Sequence, residues 1–188
     1  SRMSAVKLIP ASGGGSVSLA PPNSTSGADI TVTMPTASQG LGKILQVVQA
    51  VKDDTTSSTT DSFVDISGLS ASITPSSSSS KILLSYSVYV SHANATVSFI
   101  NPVRGSTTLA QPSDTSTTSK GTTTIYTWGS GHMMFNHNYT FLDSPSTTSA
   151  TTYKLQYRAY GGVVYINRYA NADNYYGQSS LTLMEVAA

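Results

Sequence analysis

Aromatic side chains next to small polar ones are the residues of this sequence best suited to chemistry. Trp128, the only tryptophan, stands between Tyr126 and His132 in a segment whose glycines predict a turn. A second group occupies the loop before the last predicted strand: Tyr169, Asn171, Asp173, Asn174, Tyr175 and Tyr176. Aromatic rings pack on the C–H faces of sugars, and amide and carboxylate oxygens accept hydrogen bonds from sugar hydroxyls. Both groups, together with His132, therefore predict a ligand site for carbohydrate.

A purely structural role is the alternative for the same residues. A lone tryptophan flanked by glycines also closes the end of a β-fold, and tyrosines are common at subunit interfaces. The sequence leaves both interpretations open.

The three histidines do not predict a metal centre. His132 and His137 are five residues apart, so on one strand their side chains point to opposite faces of the sheet. His137 lies among Phe135 and Phe141, which predicts a partly buried ring with satisfied hydrogen bonds. His92 follows the strongest predicted strand, and we place it at the mouth of a loop. A histidine site assembled from three chains is the alternative; otherwise no metal and no cofactor is expected.

The acidic residues do not predict catalysis. Glycoside hydrolysis needs two facing carboxylates, but only Asp143 and Asp173 lie near aromatic residues, and Asp143 begins a turn-forming Asp-Ser-Pro. Asp53, Asp54 and Asp61 lack the alternating oxygen ligands of a calcium loop. No nucleophile turn of the Gly-x-Ser-x-Gly type and no glycine-rich phosphate loop with lysine is present. We therefore expect a protein that is not an enzyme.

The composition excludes several classes of protein. Nearly a third of the residues are Ser or Thr and 10% are charged, which leaves too few strong helix formers for solvated helices. The net charge of +1 is evenly spread, so no basic surface for nucleic acid is expected. No apolar run approaches the ~18 residues of a membrane helix, and cysteine is absent, which excludes disulfides. The strand- and turn-forming residues that remain predict an all-β protein.

The first forty residues differ from the rest. They contain no aromatic side chain but have glycine and proline clusters between short alternating stretches, such as Ile30, Val32 and Met34 between threonines. Thin ribbons of this kind are marginal in water on their own. We predict an extended β arm over residues 1–40 whose strands pair with other chains, followed by a head domain over residues 41–188. An unstructured leader is the alternative for the arm.

The head domain contains a regular series of predicted strands. The clearest is residues 81–91, where large apolar residues alternate with serines. Further strands are predicted at residues 63–67, 69–74, 95–103, 131–143, 151–160, 163–168 and 179–186. Pro102 ends one of them, Gly68 separates two, and Gly161 with Gly162 predicts a hairpin turn.

Residues 43–52 are the ambiguous segment of the head. Leu41, Ile44, Leu45, Val48 and Val51 fit helical spacing, whereas the valine and isoleucine content favours a strand buried on both faces. We predict the strand. Strands separated by loops rather than helices describe a β-sandwich, and their number favours a jelly roll. Strand order cannot be read from periodicity.

Two stretches resemble fibre-like proteins of tailed phages, particularly marine ones. The first is GGGSVSLAPPN at residues 13–23 with DITVTMP at residues 29–35, which resembles the leader of those proteins. The second is YTFLDSPSTTSATTYKLQYR at residues 139–158, then VYINR at residues 164–168 and LTLMEV at residues 181–186. It resembles their C-terminal head domains, and the two stretches together cover about half of the chain.

The resemblance implies a virion protein, usually a homotrimer, with a jelly-roll head similar to those of the C1q and tumour-necrosis-factor group. No catalytic residues come with it. We therefore predict a trimeric tail fibre or spike on the virion surface, which binds a host-surface glycan or protein through its head and other virion proteins through its arm. A capsid decoration protein without a specific ligand is the alternative. A polysaccharide-cleaving tailspike is a third hypothesis, which the small number of acidic residues disfavours.

Overall fold

In a computed structural model of the chain, the structure describes residues 7–8, 17–18, 43–113, 120–128, 133–171 and 174–188. The chain divides into two units, residues 1–38 and 39–188. In the first unit, strands β1 (Lys7–Leu8) and β2 (Val17–Ser18) pair antiparallel. The alternating stretch at residues 30–34 lies outside the described residues, so the extended arm stays a prediction.

The second unit is built from strands, and its described part contains no helix. The strands are β3 (Ile44–Lys52), β4 (Thr56–Ser58), β5 (Val64–Ile73), β6 (Lys81–Ala93), β7 (Thr96–Arg104), β8 (Thr107–Thr108), β9 (Thr123–Thr127), β10 (Met134–Asp143), β11 (Thr151–Tyr160), β12 (Val163–Ile166) and β13 (Ser179–Val186). The all-β class predicted from the composition is confirmed.

The strands form two antiparallel sheets. Sheet I has the order β3-β13-β6-β10, with β12 taking the place of β13 beside the last residues of β6 and β4 pairing with β12. Sheet II has the order β5-β11-β7-β9, with β8 beside the end of β7. Counting the eight longer strands of the described chain in sequence order, the sheets read 1-8-3-6 and 2-7-4-5, which is the order of a jelly roll. The predicted jelly-roll sandwich is confirmed.

The core lies between the inward faces of the two sheets, and alternation along the strands fills it. In β6 every second residue is buried: Ile82, Leu84, Tyr86, Val88 and Val90. Sheet II contributes the inward face of β11: Tyr153, Leu155, Tyr157 and Ala159. Because side chains of a strand point alternately to its two faces, both sets were readable in the sequence, and both predictions are confirmed.

The segment at residues 44–52 is a strand, which excludes the helical alternative. It is not buried on both faces, however, because β3 is the edge strand of sheet I and pairs with β13 alone. Four apolar side chains of β3 are exposed by 43–57%: Ile44, Leu45, Val47 and Val51. The prediction of two-sided burial is therefore wrong for the single chain.

Two predicted strand ends are also wrong. Gly68 does not separate two strands but lies within β5, where its φ of +87° accompanies a register shift against β11, as expected of a β-bulge. Pro102 does not end β7, which continues to Arg104. The proline is accommodated because the partner on that edge of β7 changes there, from β9 up to Ile100 to β8 from Val103.

Gly161 and Gly162 turn the chain from one sheet to the other rather than forming a hairpin, since β11 belongs to sheet II and β12 to sheet I. We expect Gly162→Ala to lower the free energy of unfolding by about 1–3 kcal/mol. Its Cβ would lie 2.2 Å from Thr96 Oγ1 and 2.8 Å from the Ala93 carbonyl oxygen. Urea unfolding measures the loss. The control is the same substitution in a Thr96→Ala background, which lacks the nearest contacted atom; an equal loss in both backgrounds would contradict the steric argument.

Glu185, the only glutamate of the chain, is buried and ties the loop before β6 to β13. Its carboxylate accepts hydrogen bonds from Gln46 Nε2 at 2.6 Å and from the Ser76 backbone N–H at 2.7 Å and hydroxyl at 2.6 Å. Burial alone would raise the pKa of Glu185, but these hydrogen bonds outweigh it and lower the pKa to about 2.

Glu185→Gln is expected to lower the free energy of unfolding at pH 7 by about 3 kcal/mol, because an amide cannot accept all of these bonds. A depressed carboxyl pKa stabilises the fold above the unfolded-state pKa, and this stability is lost as the pH falls from about 4.5 to about 2. Across that pH range, the free energy of unfolding should change less with pH in the variant than in the wild type. Asp65→Asn, which removes an exposed ion pair with Lys154, is the control and should change little. If the free energies of unfolding of wild type and variant fall in parallel from pH 5 to pH 2, Glu185 is not the source of this pH dependence.

Candidate functional site

Three exposed aromatic side chains lie together on the outer face of sheet II, and we call them the aromatic platform: Tyr126, Trp128 and Tyr160. Val97 of β7 pairs with Tyr126 of β9 on one side and with Tyr160 of β11 on the other, which places both tyrosines on the face that Val97 occupies. Trp128 follows β9, and its ring contacts Tyr126 edge to face, with centroids 6.0 Å apart and planes at 80°. The exposed fractions are 53% for Tyr126, 85% for Trp128 and 54% for Tyr160.

A charged pair borders the platform. The Arg158 guanidinium lies over the rings of Phe99, at 5.1 Å, and Tyr160, at 5.8 Å. Arg158 Nε also donates to Asp61 Oδ1 at 2.6 Å. The cation–π contacts hold Tyr160 beside the arginine. The pair adds hydrogen-bond donors and acceptors at the edge of an otherwise apolar surface.

The inward face of β9 carries the residues that anchor the platform. Thr127 Oγ1 lies 3.0 Å from His92 Nδ1, and Thr123 Oγ1 lies 2.8 Å from His137 Nδ1. The two histidines share Ser98 Oγ, which lies 2.8 Å from Nε2 of each ring. Both rings are buried, so β9 is attached to the core through side chains as well as through its ladder with β7.

The histidine predictions have different outcomes. His137 is buried with both ring nitrogens hydrogen-bonded, as expected from its apolar neighbours. His92 is not at a loop mouth: β6 extends to Ala93, and alternation turns His92 into the core on the side of Val90. Burial lowers the pKa of His92 to about 4. Burial, reinforced by the charge of a protonated His92, lowers the pKa of His137 to about 3.

The predicted tyrosine loop packs on sheet I. The Tyr169 N–H donates to the Tyr175 carbonyl oxygen at 2.9 Å, and their rings meet edge to face at 5.7 Å. Gly177 lies against Tyr89 of β6 closely enough that a Cβ would be 2.9 Å from Tyr89 Cγ. Tyr176 forms an isolated bridge with Arg168.

Asn167 connects this loop to β3 and β6 through hydrogen bonds. It is buried with a φ of +60°, a conformation that asparagine tolerates, and its Nδ2 donates to the Lys52 carbonyl oxygen at 2.7 Å. Its backbone N–H donates to Tyr89 O, and its carbonyl accepts from Gly177 N. Among the described residues of the loop, the exposed side chains are those of Asn171, Asn174, Tyr175, Tyr176 and Gln178.

The structure therefore divides the predicted site between the two sheets. Trp128 lies on sheet II, whereas the tyrosine loop lies on sheet I, and His132 and Asp173 lie outside the described residues. Sequence reasoning named Tyr126 only as a neighbour of Trp128, not as a site residue, and it missed Tyr160. Alternation within one strand would have placed Tyr126 on the same face as Trp128. Placing Tyr160 beside them requires the order of the strands in sheet II, which the sequence does not show.

Of the two acidic residues considered for catalysis, Asp173 lies outside the described residues and Asp143 is engaged between the sheets. Asp143 ends β10, where its Oδ2 accepts from Arg104 Nη1 at 2.8 Å and from the Tyr153 hydroxyl at 2.7 Å. Asp54 pairs with Lys52 at 2.6 Å. Within the described residues, no cluster of three or more histidine or acidic side chains is placed to hold a metal ion. The described residues also form no helix that is long and apolar enough to span a membrane.

Comparison with known proteins finds similarity only at the level of structure. No protein-family profile matches the chain, and no curated protein matches it in sequence. A structure of infectious bursal disease virus, strain Gx, is 15% identical over 93% of this chain, with a TM-score of 0.39. The T=1 particles derived from infectious bursal virus are 17% identical over 93% of this chain, with a TM-score of 0.38. A D431N mutant VP2 protein of infectious bursal disease virus is 16% identical over 96% of this chain, with a TM-score of 0.35. The chain spans 43–44% of the length of these solved chains. At such TM-scores they do not bear on function.

Proposed function

We propose that this chain is a non-enzymatic fibre or spike protein on the surface of a phage virion, and that its jelly-roll head binds a glycan of the host cell. The observation that carries the binding proposal is the aromatic platform. Trp128 is 85% exposed, the highest value among the exposed large apolar side chains of the described residues, and contiguous exposed apolar residues mark interaction sites. The virion assignment is supported by the resemblance of residues 13–23, 29–35, 139–158, 164–168 and 181–186 to phage proteins.

The geometry of the platform suits a sugar. Tyr126 and Trp128 stand at 80° to each other, so a pyranose can place its C–H face on one ring and its edge against the other. The Asp61 carboxylate and the Arg158 guanidinium lie beside Tyr160, within the range of hydroxyl groups at the edge of such a ligand. A small number of polar groups around an apolar surface is the usual composition of a ligand site.

The tyrosine loop supplies a second surface for the same ligand class. Tyr175 and Tyr176 are about as exposed as Tyr126, and the amides of Asn171 and Asn174 lie on the same loop. We retain His132 and Asp173 in this proposal as sequence-based candidates. The two surfaces would then contact different parts of an extended glycan or two neighbouring chains.

We extend the proposal to a homotrimer whose arm contacts other virion proteins. An apolar row crosses the outer face of sheet I at one level of the ladder: Val47, Met184, Leu83 and Leu142. Val47 is 57% exposed and Leu142 is 50% exposed, and the next row consists of uncharged polar residues. A surface of this composition fits contact with another protein. The same row favours the second candidate function, a capsid decoration protein held to its shell without a specific ligand.

Val47→Lys is expected to dissociate the trimer, because it places a charge on the most exposed apolar side chain of this row. Sedimentation velocity at micromolar concentration measures the change from three chains to one. Gln49→Lys, one step along the same face of β3, is the matched control and should leave the assembly intact. A wild-type chain that sediments as a monomer would contradict the trimer.

The binding function is tested on a glycan array and on host cells with the full chain. Binding of a defined set of glycans supports the proposal. Binding to neither the array nor host cells would overturn it and favour the decoration protein. Antibody labelling of intact particles separates a tail location from a capsid location.

A further inference from the structure

A continuous chain of side-chain hydrogen bonds crosses the interior of the sandwich and includes two residues of β9, Thr123 and Thr127. It begins at the Tyr86 hydroxyl, which lies 3.0 Å from Thr123 Oγ1, and continues through His137, Ser98 and His92. It ends at Thr127, whose hydroxyl donates to the carbonyl oxygens of Asn94 at 3.2 Å and Thr96 at 3.3 Å. Four strands of the two sheets contribute to it: β6, β7, β9 and β10.

One direction of the bonds satisfies both ends of this chain. The carbonyl oxygens at Thr127 can only accept, and the Tyr86 hydroxyl has Thr123 as its acceptor. In that arrangement Thr127 accepts from His92 Nδ1–H, and the neutral ring accepts at Nε2. Ser98 therefore donates to His92 and accepts from Nε2–H of His137. His137 Nδ1 consequently accepts from Thr123, which in turn accepts from the Tyr86 hydroxyl. The two neutral histidines thus have opposite tautomers.

This arrangement leaves no acceptor for an added proton. A protonated His92 would present Nε2–H to Ser98, which already accepts from His137, and the Ser98 proton would lose its partner. A protonated His137 would likewise present Nδ1–H to Thr123 and displace the Thr123 proton. Since an unsatisfied polar group is costly in a dry interior, protonation must break one of the bonds that hold β9.

No described charge lies close enough to compensate. The titratable groups on this side of the core are the phenol of Tyr86 on β6, whose pKa burial raises to about 12, and that of Tyr139, its partner on β10. From β7 and β9 the groups bonded to the histidines are Ser98, Thr123 and Thr127. The pair of Arg104 with Asp143 lies at the other end of β10, about 20 Å along the strand from His137. The pKa values of both histidines are lowered by burial.

We propose that His92, Ser98 and His137 form a proton-operated latch, which holds β9 and the aromatic platform against sheet II at neutral pH and releases them in acid. The histidines are positioning residues, since they act on the platform through Thr123 and Thr127. Loss of ligand on acidification rests on the proposed function; the release of β9 does not. The pH window follows from the lowered pKa values of both histidines: the rings stay neutral above about pH 5 and take up protons below it.

The sole tryptophan makes the latch measurable without a ligand. Trp128 follows Thr127 directly, so its fluorescence anisotropy should fall in a sigmoidal step centred near pH 4, while far-UV circular dichroism keeps its neutral-pH value. His92→Gln/His137→Gln should remove the step. His132→Gln, which changes the third histidine of the chain, should retain it. A step that persists in the double variant, or one that coincides with loss of the far-UV signal, would overturn the latch.

Histidine side-chain ¹⁵N NMR of the wild-type protein provides a test that needs no substitution. At pH 7 it should show His92 protonated at Nδ1 and His137 protonated at Nε2, with neither ring titrating above pH 5. A charged ring or identical tautomers would overturn the proposal. Glycan binding at pH 7 that is lost at pH 4 would add the ligand consequence, whereas absence of glycan binding at every pH would count against the proposed function alone.

Discussion

Replacing Asp143 with alanine is expected to lower the free energy of unfolding by about 2–3 kcal/mol, because it removes the shared acceptor of an ion pair and of a buried phenol. Asp143 ends β10 in sheet I, and its Oδ2 accepts from Arg104 of β7 and from Tyr153 of β11 in sheet II. The variant leaves the buried Tyr153 phenol without this acceptor, while the Arg104 guanidinium, which is 26% exposed, keeps its bond to the Ser144 carbonyl oxygen. Burial, the main cause of the raised pKa of Tyr153, persists in the variant, so the phenol stays protonated and still lacks this acceptor.

Urea unfolding at pH 7 measures this loss. Tyr153→Phe removes one donor but leaves the ion pair, and it should cost about 1 kcal/mol. Arg104→Met with Asp143→Leu removes both charges and should recover much of the stability lost in Asp143→Ala. If Asp143→Ala costs no more than Tyr153→Phe, the connection between the sheets is not energetically important.

Replacing Trp128 with alanine is expected to weaken glycan binding at least tenfold, which corresponds to about 1.4 kcal/mol. The indole is the largest ring of the platform, and the sugar face that packs on it would return to water. Stability should change by less than about 0.5 kcal/mol, because an 85% exposed side chain contributes little to the core.

Titration calorimetry with a glycan identified on the array measures the affinities of matched variants. Tyr160→Ala, which removes the platform ring on β11, should also weaken binding. Tyr176→Ala changes the tyrosine loop on sheet I and separates the two surfaces. If Tyr176→Ala abolishes binding while Trp128→Ala does not, the loop is the ligand site and the platform is not.

The inward faces of the long strands could be predicted because they depend on local alternation. Ile82 to Val90 in β6 and Tyr153 to Ala159 in β11 alternate with polar residues, and a strand can bury one face only in the phase that the apolar residues set. The ends of the strands were harder. Pro102 and Gly68 normally interrupt strands, but a change of partner beside β7 and a bulge in β5 accommodate them.

The candidate site was only partly predictable. Trp128, Tyr175 and Tyr176 were selected from residue type, and all three are exposed. Tyr160 was missed because it reaches the platform through β7, which pairs with both β9 and β11. His92 was misplaced because its partners, Ser98 and Thr127, belong to other strands, and a pattern within one strand does not show them.

The sequence by itself determined the all-β class, the sandwich and the phase of the main strands, since residue type and period-two alternation act within a few neighbouring residues. Only the tertiary structure decided which strands are neighbours. The jelly-roll order brings β9 beside β7, and through it Tyr126 beside Tyr160 and Thr127 beside His92. The physical reason is that pairing is determined by the joint packing of both sheets around one core, so it depends on residues far apart in the chain. The aromatic platform and the histidine chain beneath it are both products of that order.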